Sequence, residues 1–156
     1  MASLLGVVMS SIFISSLCFT NRMHFFSCFQ CVQCFDLCLG PLHCVLSLYR
    51  YAIECLKESK FSFSSDIWSF GVTLYEIFTD CDSHQSPPTK FLKMMAEPGE
   101  QMTVMALIKL LERNMRLPCP RKCPHEVKML MEQCWAANPT QRPTFTSLIE
   151  SLKANG

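Results

Sequence analysis

The run "CFQCVQCFDLC" places Cys28, Cys31, Cys34 and Cys38 at C-x2-C-x2-C-x3-C, the spacing with which bacterial-type proteins hold an iron–sulfur cluster on thiolates. Such a set would support electron transfer. Three features of the chain argue against it: no proline follows Cys38, no second cluster-binding run appears, and six of the eleven cysteines fall within residues 1–50. At that density the spacing arises from composition alone. His24 and His43 offer imidazoles to zinc, but no paired C-x2-C…C-x2-C or H-x3-H arrangement supports such a site. The cysteines after residue 50 show no paired spacing, so the expectation is a reducing compartment, with no metal ligand and no cofactor-binding residue assigned.

Arg142 is the other residue whose setting asks for a chemical explanation. In "CWAANPTQRPTF" it stands between Gln141 and Pro143, just ahead of an amphipathic run and without an obvious acidic neighbour. Charge elsewhere divides the chain in two. Residues 1–50 hold only Arg22, Asp36 and Arg50, whereas residues 51–156 carry twelve basic and twelve acidic side chains. A net charge of +1 with interspersed signs supplies no basic stripe to neutralise phosphates, which excludes nucleic acid as the expected partner.

The stretch "MASLLGVVMSSIFISSLCFT" is uncharged over residues 1–20, long enough to span a bilayer or to form the apolar part of a signal peptide. Five serines and the absence of a basic residue before Arg22 weaken that reading. Phe, Ser, Cys, Leu and Val dominate residues 12–48, as in translated pyrimidine-rich sequence. The leading expectation is that residues 1–50 are an apolar, Cys-rich segment from a misjudged gene start; membrane association through residues 1–20 is the lesser one.

Helical grammar begins at Tyr51. "SSDIWSFGVTLYEIFT" opens on the cap-forming Ser64, Ser65 and Asp66 and continues with apolar residues on nearly every face, as in helices enclosed by a fold. Ser86 and the following prolines open a short helix to about Met95, which "AEPGEQ" breaks. A further helix spans about 102–113, and the proline-dense "RLPCPRKCP" is an extended connector. Val127, Leu130, Met131, Cys134 and Trp135 form one apolar stripe, and Phe145, Leu148, Ile149 and Leu152 another, with Thr144 as its cap. Residues 62–153 therefore read as about five helices, mainly α, with no strand of convincing length.

Taken together, "YAIECL", "SSDIWSFGVTLYEIFT", "RLPCPRKCP" and "LMEQCWAANPTQRPTF" resemble the C-terminal lobe of protein tyrosine kinases. The resemblance covers Tyr51 to the end, about two thirds of the chain, and none of residues 1–49. Ala52–Glu54 stands where the family carries A-P-E. The insertion "SHQSPPTKFLKMMAEPGEQMTV" is similar to the extra helix of the Janus kinases. The resemblance implies a helical C-lobe portion of a kinase-like fold over residues 51–156. It also implies that Glu54 pairs with Arg142, that Asp66 accepts hydrogen bonds from the catalytic-loop backbone, and that Trp68, Gly71 and Trp135 are packing residues. Ile53 departs from the family's proline, which puts the geometry of the adjoining peptide-binding segment in question.

Phosphoryl transfer in this family needs a glycine-rich loop, a strand lysine, a catalytic aspartate with its asparagine, and a D-F-G aspartate for magnesium. Upstream of Glu54 there is no lysine, no G-x-G and no H-R-D, and Asp36 is the sole carboxylate. No catalytic residue is assigned. ATP and magnesium are implied for the intact family only, with cytoplasmic kinase or cytokine-receptor complexes as its protein partners. Without upstream helices to cover it, the central helix is expected to leave an apolar side bare.

Overall fold

A computed structural model of the chain describes residues 48–95 and 103–154. The cysteine run at 28–38, His24, His43, the uncharged stretch 1–20 and the "AEPGEQ" break lie outside those residues. Six α-helices are present among the described residues: α1 (Ile53–Glu58), α2 (Phe63–Phe78), α3 (Pro87–Met94), α4 (Val104–Glu112), α5 (His125–Cys134) and α6 (Phe145–Ala154). Single 3-10 turns occur at Leu48–Arg50, Ser83–Gln85 and Pro139–Gln141. The five helices expected over residues 62–153 are α2 to α6. Short α1 is the addition, since six residues hold too little periodicity to be read.

The chain divides into two compact units, one containing residues 40–144 and the other containing Phe145–Gly156. In the first, α2 is the axis. Its cap is Ser62, earlier than expected: the Ser62 hydroxyl accepts from the Ser65 N–H at 3.3 Å, and the Ser65 hydroxyl accepts from the Ser62 N–H at 2.8 Å. This reciprocal box satisfies two backbone donors at the helix start. Every residue from Ile67 to Tyr75 is buried, so the bare apolar side expected of this helix is not what the structure shows. Exposed apolar side chains stand at its first residue, Phe63 at 63%, and on α4, Met105 at 62%.

Helix α5 crosses α2 at Gly71. A Cβ there would lie 2.7 Å from Trp135 Nε1 and 2.8 Å from the Cys134 Cβ, so only glycine allows this approach. Leu130, Met131, Cys134 and Trp135 are buried as the stripe predicts, with Val127 at its half-buried margin. Helix α4 starts at Thr103, whose side chain accepts from the Ala106 N–H at 3.1 Å, and buries Leu107, Ile108, Leu110 and Leu111. Helix α3 has Pro87 in its first turn, where a missing N–H costs nothing. The Ser86 hydroxyl does not cap the backbone there; it pairs with Thr89 Oγ1 at 2.9 Å.

In the second unit, α6 buries Leu148 and Leu152, and leaves Phe145 and Ile149 half-buried.

Candidate functional site

Glu54 belongs to the first turn of α1, where a carboxylate is favoured by the positive end of the helix. The turn is held by the Ala52 carbonyl, which accepts from the N–H groups of Cys55 and Leu56 at 3.0 and 3.1 Å. Ile53 is the first helical residue. A proline is compatible with that position, so the departure from A-P-E leaves the helix start intact.

Arg142 arrives from the far end of the unit in extended conformation, φ −72° and ψ 144°, directly after the 3-10 turn at Pro139–Gln141. Asn138 shapes that turn by accepting from the Thr140 N–H at 3.0 Å and from its hydroxyl at 2.8 Å. Pro139 and Pro143 on either side restrict the backbone further. The guanidinium donates twice to Glu54, Nη1 to Oε1 at 2.6 Å and Nη2 to Oε2 at 3.0 Å. It also donates from Nη1 to the Ser64 carbonyl and from Nε to the Ala136 carbonyl, both at 2.9 Å. The Arg142 side chain is fully buried, and that of Glu54 is 17% exposed. One side chain thus ties α1, the start of α2 and the end of α5. Its planar fork matches a carboxylate in a way that lysine cannot.

Trp68 forms the floor of the site. Its ring lies 5.1 Å from the Arg142 guanidinium carbon and 4.8 Å from that of Arg116. Arg116 donates from Nε to the Trp135 carbonyl at 3.0 Å, and from Nη1 to the carbonyls of Leu111 and Met115 at 2.9 and 2.8 Å. It therefore satisfies carbonyls at the C-terminal ends of α4 and α5, where a cation is favoured. Burial, and secondly the charge of Arg142, push the Arg116 pKa down. Glu54 neutralises one of these two cations, and the Trp68 π-face helps both. Among the described residues, Arg116 Nη2 and Trp135 Nε1 are buried with no hydrogen-bond partner.

The structure therefore brings Glu54, Arg142 and Trp68 into one cluster, with Trp135 and Gly71 packed beside it. Asp66 stands half-buried in the first turn of α2, and a counterpart of the catalytic loop that the resemblance assigns to it is not among the described residues. Sequence reading missed Arg116, whose role depends on two helix ends meeting in space. It also missed Arg50, which forms a largely buried ion pair with Glu76 at 2.5 Å and accepts the Ser69 hydroxyl on its carbonyl at 2.8 Å. Arg50 is one of only three charges in residues 1–50, and that rarity was the available signal. Burial raises the Glu76 pKa, and Arg50 opposes the rise.

The cluster is a contact between helices. It fixes a short helix against a long one through a carboxylate and a guanidinium. Among the described residues no group of three or more His, Cys, Asp or Glu side chains is placed to hold a metal ion.

A family model described as protein tyrosine and serine/threonine kinase matches residues 42–152. Tyrosine-protein kinase JAK1 of Danio rerio is 46% identical over 106 residues, 68% of this chain and 9% of that protein. Tyrosine-protein kinase JAK3 of Rattus norvegicus is 47% identical over 107 residues, 69% of this chain and 10% of that protein. The expectation from "LYEIFTDCDS", "FLKMM" and "EQMTV" is Janus kinase 1, and identities of 46% and 47% do not separate that member from Janus kinase 3. The chain spans about a tenth of the length of these curated relatives. With Glu54 and Arg142 joined across a sequence separation of 88, the chain belongs to the protein tyrosine and serine/threonine kinase family, and its matched residues are of the Janus tyrosine kinase type.

Proposed function

We propose that residues 51–156 are the helical base of a Janus-type tyrosine kinase domain, and that these 156 residues do not transfer phosphoryl groups by themselves. The parent activity on this reading is ATP-dependent phosphorylation of protein tyrosines in cytokine-receptor signalling, in cytoplasmic complexes with other kinases or receptor chains. The observation that supports it best is the two-pronged Arg142–Glu54 pair, which holds the segment matching A-P-E to the base of the lobe. In that role the pair positions a neighbouring peptide-binding segment and touches no reacting atom. The lack of a lysine, a G-x-G and an H-R-D upstream of Glu54 supports the second half of the proposal, because nucleotide phosphates and the tyrosine hydroxyl would find none of their usual partners.

Two measurements test it. The purified chain, incubated with magnesium–ATP and a tyrosine-containing peptide, is expected to give no phosphotyrosine; turnover above the buffer control contradicts the proposal. A chimeric Janus kinase carrying residues 51–152 in place of its own matching segment is expected to retain activity, and to lose it on Glu54→Gln.

A second reading, a short form that competes for partners of the full kinase, draws support from exposed Phe63 and Met105. Co-precipitation with full-length JAK1 that disappears on Phe63→Ser would favour it. Membrane anchoring through residues 1–20 lies outside the described residues. Among the described ones no helix is long and apolar enough to cross a membrane.

A further inference from the structure

After Arg116 the connector between α4 and α5 reverses direction in a tight turn, where the Cys123 N–H donates to the Pro120 carbonyl at 3.1 Å. Cys119 enters that turn and Cys123 leaves it. The C-x3-C spacing looks unpaired along the chain, yet the turn closed by the Cys123 N–H on the Pro120 carbonyl puts the two cysteines on its two flanks. Cys119 is exposed, Cys123 is half-exposed, and both are free. Each sulfur also faces an adjacent carbonyl at 3.5 Å, Cys119 that of Pro120 and Cys123 that of Pro124. Pro118, Pro120 and Pro124 restrict the backbone around both cysteines, which lowers the entropy lost when the sulfurs are joined.

Other described cysteines lack these features. Cys55 and Cys134 are buried; the Cys55 thiol donates to the Lys60 carbonyl at 3.0 Å, and burial pushes the Cys134 thiol up to about 12. Cys81 is exposed, with a pKa raised by burial and by Glu76.

We propose that Cys119 and Cys123 form a reversible dithiol–disulfide site whose oxidant is hydrogen peroxide and whose reductant is a small thiol. Cys119, the more exposed, attacks as thiolate on one peroxide oxygen. The O–O bond breaks, the leaving hydroxide takes up a proton to become water, and Cys119 becomes a sulfenic acid. The Cys123 sulfur then attacks the Cys119 sulfur, the S–O bond breaks, and the departing hydroxide leaves as a second water with the Cys123 proton. Two thiols lose two electrons and peroxide gains them. Two equivalents of a thiol such as glutathione reverse the change by exchange through a mixed disulfide.

The order of attack is set by the environment of each sulfur. Burial, followed by the charge and hydrogen bond of Cys119, pushes the Cys123 thiol up to about 11, so Cys123 keeps its proton while Cys119 reacts.

The full-length chain, fully reduced, is exposed to hydrogen peroxide, alkylated with N-ethylmaleimide and digested with trypsin. Cleavage after Arg121 and Lys122 severs the backbone between the cysteines, so a disulfide is the sole remaining link. The expected result is one species containing both the Cys119 and the Cys123 peptides, absent from the untreated sample and split by dithiothreitol. Cys123→Ser is expected to leave a Cys119 sulfenic acid that dimedone traps. Separate peptides, each alkylated or over-oxidised, or links from either residue to a cysteine before Arg50, overturn the proposal. Dimedone capture on Cys123 rather than Cys119 in the two single serine variants overturns the order of attack.

Discussion

At position 142 a cation is removed from water and given four acceptor contacts, two of them to one carboxylate. A pair of this kind is not strongly favourable against an apolar replacement of both partners, but loss of one partner leaves the other buried and unpaired, at about 3–5 kcal/mol. Glu54→Gln is therefore expected to lower the unfolding free energy by roughly 3 kcal/mol or more in urea titration. Arg142→Lys should fare little better, since an ammonium cannot span both carboxylate oxygens while reaching two carbonyls. A companion prediction concerns Gly71. An added methyl meets Trp135 and Cys134 at 2.7–2.8 Å, so Gly71→Ala is expected to cost about 1–3 kcal/mol by overpacking; a melting temperature equal to the parent's would contradict the fit. The identity of Arg142's partner was legible only through the kinase resemblance, because Glu54 lies a sequence separation of 88 away. Nothing local to "NPTQRPTF" points to a carboxylate. Gly71, by contrast, is a glycine in the middle of an apolar helix, a position that already asks for a close neighbour.

Helix ends carry the next level of specification. Ser62 and Ser65 satisfy each other's backbone donors, and Ser62→Ala is expected to destabilise by about 1 kcal/mol, measured by thermal unfolding. Ile53 occupies the first position of α1, where proline removes an N–H that the helix does not use. Ile53→Pro is thus expected to stabilise by about 0.4–1 kcal/mol through a less disordered unfolded chain; a loss would show that the residue's side chain matters more than its backbone. These elements were largely readable. Four-residue periodicity located α5 and α6, and the Thr103 and Pro87 starts follow from the residue types that begin helices. The cap of α2 was misplaced because "SFSSD" offers several capping residues in succession, and only backbone geometry decides among them. Helix α1 escaped notice because a six-residue helix contains one turn and a half, too short for a repeating apolar pattern.

For the molecule as a whole, acid–base behaviour is governed by charges in places where water is scarce. Burial raises the Glu76 carboxyl above its ordinary 4.5, with Arg50 opposing. The folded chain therefore binds this proton more tightly than the unfolded chain does. The stability linked to that proton is full below 4.5 and is lost as pH rises through the folded-state value. Glu76→Gln is accordingly expected to compare better with the parent at pH 7 than at pH 4 in paired denaturant titrations; the opposite trend would mean that Arg50 outweighs burial. Residue 50 belongs chemically with the helical residues after it, although composition groups it with the oily residues before it. Its ion pair, its carbonyl bond to Ser69 and the family match from residue 42 all reach across the compositional divide. A sharp change in amino-acid usage marks where charge becomes frequent, and it need not mark where packing begins.

Trp68 and Trp135 are the chain's two tryptophans, and both are buried against the arginine cluster. Indole emission from this molecule, excited at wavelengths that tyrosine does not absorb, accordingly arises at the clamp. Opening that contact should shift the indole spectrum to longer wavelength before distant helices melt, so an unlabelled sample carries its own optical gauge of the Glu54–Arg142 latch.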